Sequence, residues 1–563
     1  MSRTFSTEFL EAFREVPDQV SIVLQHRGLP DFPLTYRQFF EGAAGFALAL
    51  EQAGVRPGEV VILILPHGEA LLYAFWGAIL HGAIPSIMPF LTEKLSPESY
   101  RRSLRALFEV TAPAAAITYT EFVSEVVQAI PDGSAVRAVL DAGNVQPCAA
   151  VEPERLGGLT REPGESVLLQ HTSGTTGLQK GVALSHRAVF NQLDSYAASI
   201  QLDRKDVIVS WLPLYHDMGL IAGFILPVLR RIPLVLSSPF DWVRAPNSLL
   251  ASVSKYRGSL TWLPNFAYNF CAQKIRSRDL EGLDLSSWRA VINCSEPMHW
   301  RSHQLFLERF RPYGLQSEAL ATCYAMAENV FAVTQGGIDS PVRVDNIEQS
   351  AFLAQGLARP CPPGLPEMKL LSAGTPIAGT LVRVLDDQRR ELPERHLGEI
   401  AIRSDYLLNG YYNRPDLTAS AFFDGWYLTG DLGYLAEGEL YITGRKKDLI
   451  IVGGKNIYPQ DLERLAGEVE GIHPGRVVAF GVFNEQIGTE EVVLVAEADE
   501  LEPGGSRSEQ AYALADQVRR HITRSSDIAL RYVEIVERGW LLKTSSGKVA
   551  RNANREKYLL SLG

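Results

Sequence analysis

Ten residues, Thr172-Ser-Gly-Thr-Thr-Gly-Leu-Gln-Lys-Gly181, concentrate glycines, hydroxyls and one lysine just after the apolar run Ser166–Leu169. Gly174, Gly177 and Gly181 let backbone N–H groups come close to an anion. Thr172, Ser173, Thr175 and Thr176 bring hydroxyl donors and Lys180 brings charge, so the stretch predicts a phosphate-handling loop. A Ser/Thr/Gly run alone is more often a solvated turn. Here it stands between a strand-like segment and a helix opened by Ser185, and solvated turns rarely need three glycines and a lysine. The order is not that of a Walker loop, because Lys180 follows Gln179 and precedes Gly181, not a Ser or Thr. Kinase and GTPase readings therefore fall.

The elements that must position this loop are legible in outline. Strand-like and helix-like runs alternate: Val60–Leu65 then Ala70–Leu80, Ala114–Thr118 then Phe122–Ile130, Val207–Leu212 then Gly219–Leu229. That alternation predicts an α/β fold, a large N-terminal domain of layered βα sheets with helices outside. From Ile377 the pattern changes to short β-rich pieces, predicting a small β-subdomain over about 377–444. Gly444-Arg-Lys-Lys-Asp448 then reads as a connector, giving domains 1–444 and 445–563, the second a smaller, mobile α+β domain. Gly336–Pro366, rich in Pro, Gly and Ser, is long for a connection and reads as a functional insertion or a flexible surface loop. Leu541–Val549 reads as a polar loop with a lysine at its tip.

Composition narrows the classes further. The 563 residues are 46% hydrophobic and 21% charged with a net charge of −11, which argues against nucleic acid as a partner. Met1–Val16 lacks the apolar core of a secretory signal. The apolar run Ala70–Leu80 is too short to span a membrane, and the five scattered cysteines suggest neither a disulfide framework nor a zinc site. A cytoplasmic location is expected. Charge is uneven: Arg519–Lys557 holds ten basic residues against four acidic ones, either a solvated basic face or a docking surface for an anionic partner.

Five short motifs occur in one order along nearly the whole chain, and together they resemble the adenylate-forming superfamily of acyl-CoA synthetases, acyl-AMP ligases, adenylation domains and luciferases. They are Thr172–Gly181, Tyr324-Ala-Met-Ala-Glu328, Tyr427-Leu-Thr-Gly-Asp431, Gly444-Arg-Lys-Lys-Asp448 and Thr544-Ser-Ser-Gly-Lys548. Singly, each has an ordinary structural explanation as turn, core or solvated lysine. The resemblance implies activation of a carboxylic acid by ATP and Mg2+, in which two anions must meet and the site must supply cations and aligned donors. It implies Lys548 between carboxylate and α-phosphate, Glu328 with Thr175 on the metal, Asp431 on the ribose, and Arg445 on ribose or phosphate. Tyr324 would stack on adenine, with Ser295, Glu296 and Pro297 as the other wall. Rotation of the C-terminal domain about Lys447 would then serve thiol transfer.

Within the superfamily, Trp211-Leu-Pro-Leu-Tyr-His-Asp-Met-Gly-Leu220, Leu263-Pro-Asn-Phe-Ala-Tyr268 and Asn456-Ile-Tyr-Pro-Gln-Asp461 resemble the fatty-acyl-AMP ligase branch. Gly336–Pro366 lies where that branch carries an insertion thought to restrain domain rotation and disfavour CoA. The resemblance thus implies a phosphopantetheine thiol on an acyl carrier protein as acceptor, with free CoA as the alternative. Pocket candidates are His216, Phe224, Phe266 and Met326, which suit an apolar acid. His216 reads as pocket lining and not as a metal ligand, because no further His or carboxylate completes ligand spacing.

Overall fold

The computed structural model describes residues 2–90, 97–171, 180–452, 455–484, 489–501, 508–525, 530–544 and 547–561. Val60–Ile64 is buried at every position and lies between Ile84–Ile87 and Ala115–Thr118 in a four-stranded parallel sheet. Its crossover helix, Glu69–His81, is apolar nearly all round and is sunk in the core, as such a helix must be.

A nine-stranded sheet sets up the site. Ile208–Ser210, Leu260–Leu263, Ala290–Cys294 and Leu320–Ala325 run parallel, with Ile208 beside Leu260, Leu260 beside Ala290 and Cys294 beside Cys323. Parallel strands end on one side. Trp211, Pro264, Ser295 and the strand-end Tyr324–Ala325 therefore emerge along one carboxyl edge, where α/β sheets open their ligand crevice. Ala332–Gly336 returns antiparallel, with a register shift between Tyr324 and Ala325 that re-aims the chain leading to Glu328.

The strands on either side of the phosphate-loop motif pair with each other. Ser166–His171 pairs antiparallel with Gly181–Ser185, so a second strand intervenes before the helix His186–Ser199. Ser185 does open that helix, accepting from the Ala188 N–H at 3.2 Å. Gly219–Leu229, expected to be helical, is helical in two parts. Met218–Ile225 has π-type winding and Leu226–Arg230 is an α-helix. A β-carbon at Gly219 would fall 2.3 Å from the Pro213 carbonyl oxygen, so only glycine allows this helix to pack so close.

The β-rich piece forms a five-stranded antiparallel sheet between Thr380 and Arg445. Gly336–Pro366 has its own order. Val344–Glu348 pairs with Glu367–Leu371, and helix Gln349–Gln355 follows the first of these strands. Ile347 and Phe352 are buried against Leu432, Tyr434 and Tyr441 of the five-stranded sheet and Tyr458 beyond it. Burying a phenylalanine this way contributes roughly 1.5–3 kcal/mol.

Beyond Asp448 a separate core begins at Ile450. Its three-stranded sheet, Ile472–Asn484, Thr489–Ala498 and Tyr532–Val536, has helices Pro459–Gly467 and Glu509–Ser525 on one face. Tyr558 of helix Arg551–Ser561 packs on the other face. Among the described residues, no helix is long and apolar enough to cross a membrane.

Candidate active site

Two polar networks stand at the carboxyl edge of the large sheet. In the first, Tyr324 donates its hydroxyl to Asp431 Oδ2 at 2.6 Å and Arg445 Nε donates to Asp431 Oδ1 at 3.0 Å. Asp431 is positioned by its strand pairing, which sets it opposite Arg445. The Asp431 carboxylate raises Arg445 above its ordinary value despite the enclosure that opposes it. Burial, then Asp431, raises the Tyr324 phenol well above its own. In the second network, Tyr411 donates to Glu328 Oε1 at 2.9 Å and lies 2.9 Å from the Tyr427 hydroxyl. Lys180 Nζ sits 4.8 Å from the centre of the Tyr411 ring, a cation–π contact.

Lys447 lies in a cationic corner of the same region. The side chain is exposed, but desolvation and then Arg445 lower it from the ordinary lysine value, Asp448 and Asp431 oppose this, and Lys180 adds to it. Lys180, Arg445 and Lys447 thus share one neighbourhood, an arrangement whose mutual repulsion a polyphosphate would relieve.

The fourth cation arrives from the C-terminal core. Lys548 Nζ donates to the carbonyl oxygen of Ser295 at 2.5 Å. Its loop is closed by Thr544 N to Lys548 O at 2.7 Å and Gly547 N to Thr544 O at 2.9 Å, with Gly547 at φ +84°. Ser295 itself has φ +67°, a left-handed conformation. Below it, Ser295 Oγ lies 4.0 Å from Met218 Sδ, and the Met218 N–H donates to Asp217 Oδ1 at 2.8 Å. Burial alone would raise the Asp217 carboxyl. His216, the Met218 N–H and Lys548 together hold it below the usual carboxylate value. His216 Nδ1 is 2.5 Å from Asp217 Oδ1 but off the line of a hydrogen bond.

The remaining expected residues divide. Thr172, Ser173, Gly174, Thr175, Thr176 and Gly177 lie outside the described residues. Glu296 turns away from the networks: its Oε2 accepts from Phe266 N at 3.0 Å. It thereby satisfies an orphan donor in the first turn of helix Asn265–Lys274, whose N-cap Pro264 offers no side-chain acceptor. Pro297 is exposed and Met326 half-buried. Phe224 is fully buried, its ring 5.7 Å from Phe75 and 6.4 Å from Phe39. Phe266 is 43% exposed and sets its edge against Trp211 and Trp242. Those two indoles stack 3.6 Å apart and 6° from parallel, and neither Nε1 has a hydrogen-bond partner among the described residues.

Trp242 and Tyr411, which the sequence did not single out, stand against Trp211 and Glu328. Tyr411 ends the short strand Gly410–Tyr411 and Trp242 sits in a short helix, and neither carries a local pattern that points to Glu328 or Trp211. The basic C-terminal stretch is mostly committed inside the fold. Arg551 binds Asp448, Glu463 and the Ala479 carbonyl, Arg555 binds the Gly481 carbonyl, and Lys557 binds the Trp540 carbonyl. Arg531 pairs with Glu491 and Arg519 with Asp516.

Residues 9–412 match the AMP-binding enzyme family. The chain belongs to that family. It is 32% identical over 551 residues to the long-chain-fatty-acid–AMP ligase FadD26 of Mycobacterium tuberculosis, covering 93% of this chain and 91% of the relative. It is also 32% identical over 529 residues to the 4-hydroxyphenylalkanoate adenylyltransferase of the same organism, covering 89% and 82%. A structure from a study of fatty acyl-adenylate ligases of E. coli and L. pneumophila superposes with a TM-score of 0.89 at 27% identity, covering 99% of this chain and 98% of that one. The L. pneumophila ligase in complex with acyl adenylate and pyrophosphate gives 0.75 at 26% identity, covering 99% and 96%. This AMP-binding enzyme is an acyl-adenylate-forming ligase that uses ATP.

Proposed function

We propose that the enzyme activates an apolar carboxylic acid, of fatty or polyketide type, and passes the acyl group to the phosphopantetheine thiol of an acyl carrier protein. Asp431 and Arg445 hold the ribose side of the nucleotide, Tyr324 its base, Lys180 and the loop before it the phosphates. Lys548 bridges the acid and the α-phosphate. Glu328, with Thr175, takes Mg2+. Oxygen donors suit that ion, and the described residues give Glu328 Oε2 no hydrogen-bond partner. When bound, the metal supplies charge neutralisation to the phosphates.

One observation carries the choice of acceptor: Phe352 of the ordered 336–366 segment stacks on Tyr458, ring centres 6.1 Å apart and 22° from parallel. The segment thus grips the chain just past the proposed hinge at Lys447, between units 1–444 and 445–563, and opposes the rotation that free CoA would need. Trapping of the acyl-adenylate with hydroxylamine, then addition of CoA or of holo-carrier protein, tests it. Carrier loading should dominate, and CoA turnover of equal rate rejects the proposal.

A further inference from the structure

Glu328 is followed by a backbone distortion inside the main core, where Asn329, Val330 and Phe331 are fully buried. Val330 sits at φ +62°, ψ −54°, and the Phe331 N–H donates to the Asn329 carbonyl at 2.6 Å, which makes a left-handed γ-turn centred on a β-branched residue. Valine disfavours this region strongly, and such strain survives only where the surroundings over-determine it.

They do so through three elements. Asn329, fully buried, donates its Nδ2 to the Ala332 carbonyl at 2.8 Å and accepts at Oδ1 from Ser404 Oγ at 2.5 Å. Gln192, also fully buried, accepts the Ala332 N–H at 2.6 Å and donates to the Ala332 carbonyl at 3.2 Å. Met326 N closes the loop on the Phe331 carbonyl at 2.9 Å, and Leu408 N holds the Glu328 carbonyl at 2.8 Å. Gln192 stands on the helix that follows the Gly181–Ser185 strand, and Ser404 ends a strand of the β-subdomain.

We infer that the Asn329–Val330 turn is a positioning device for Glu328, with Asn329, Gln192 and Ser404 as positioning residues. It fixes the carboxylate relative both to the phosphate-loop hairpin and to the sheet that bears Asp431. Relaxing Val330 would rotate the peptide planes on either side of it and swing Glu328 out of register. The inference rests on the assignment of Glu328 to Mg2+.

Half-saturating Mg2+ in ATP–pyrophosphate exchange, together with the Mg2+-dependent rise in melting temperature of the ATP complex, tests it on Glu328→Gln, Asn329→Ala and Ser404→Ala. Asn329→Ala should raise the Mg2+ requirement roughly tenfold, as loss of a group supporting a metal ligand does. Ser404→Ala, which leaves the Asn329 Nδ2 bond to the Ala332 carbonyl in place, should raise it less. The KM for the acid should stay unchanged and the Mg2+-dependent melting shift should shrink in the same order. Wild-type Mg2+ dependence in both Asn329→Ala and Ser404→Ala, with a raised requirement in Glu328→Gln, overturns the positioning role and leaves Glu328 on the metal. An unchanged requirement in Glu328→Gln overturns both. Should Asn329→Ala not fold, Ser404→Ala alone decides.

Discussion

Lys548 and Ser295, 253 residues apart, are joined by a hydrogen bond of 2.5 Å from the lysine ammonium to a carbonyl oxygen. The contact carries the tip of a C-terminal loop onto the carboxyl edge of the large sheet, beside buried Asp217. A carbonyl holds an ammonium less tightly than a carboxylate would, so the lysine stays available to an incoming anion.

Lys548→Ala should therefore lower ATP–pyrophosphate exchange roughly 100- to 1,000-fold, the usual loss when a charge contact to the transition state goes. Melting temperature should barely change, because the loop contributes little to either core. Exchange and thermal melts on one preparation check both. Near-normal exchange would remove Lys548 from the chemistry.

Asp431→Ala should act on the nucleotide instead. It strips Arg445 and the buried Tyr324 hydroxyl of their acceptor, and hydrogen bonds to a charged group contribute about 1.5–3 kcal/mol each. The KM for ATP should rise about ten- to a hundredfold by the same measure while the KM for the acid moves little. A titration of each substrate against the other at saturation separates the two constants.

Phe352→Ala should loosen the 336–366 segment from Tyr458. The stacked pair contributes about 0.5–1.5 kcal/mol beyond burial. Exchange should be retained and acyl-CoA formation should increase, measured as thioester with free CoA. Lys447→Pro should spare exchange and impair thioester formation, because proline fixes φ where the connector must turn. Equal loss of both half-reactions would place the pivot elsewhere.

Asp461 gives a pH signature. Burial pushes its carboxyl up to about 6, with Arg464 opposing and Glu463 adding. At a pH below the ordinary carboxylate value the group is neutral in folded and unfolded chains alike, and its contribution to stability is intact. As pH rises towards and through about 6 the unfolded chain has already ionised freely while the folded one ionises against burial, so that stability is lost. Asp461→Asn should melt with the parent protein near pH 4 and above it at pH 7 and higher, by at most about 3 kcal/mol. Thermal melts across that range decide, and a gain confined to acid pH would reverse the sign.

How much of this was legible in the chain differs from site to site. Residue chemistry at short spacing pointed to a phosphate-handling loop, whereas Glu328, Asp431, Arg445 and Lys548 were indicated only by the resemblance that five ordered motifs carry. Alternation of strand-like and helix-like runs pointed to layered sheets, and the connector Gly444–Asp448 pointed to a second domain from 445. The loop is a local feature: its glycines, hydroxyls and lysine fall within ten residues, between a strand-like run and a helix opened by Ser185. Long-range packing decided the rest. Phe224 and Phe266 read alike in sequence, yet the winding of Met218–Ile225 buries the first among Phe39 and Phe75 while the second stays at the sheet edge. Tyr411 reaches Glu328, Glu296 turns to Phe266, and Asn329 locks the turn at Val330 through Ser404, because strands distant in sequence end side by side. Hydrogen-bonding capacity is written in each residue, but its partner is chosen only when the sheets close.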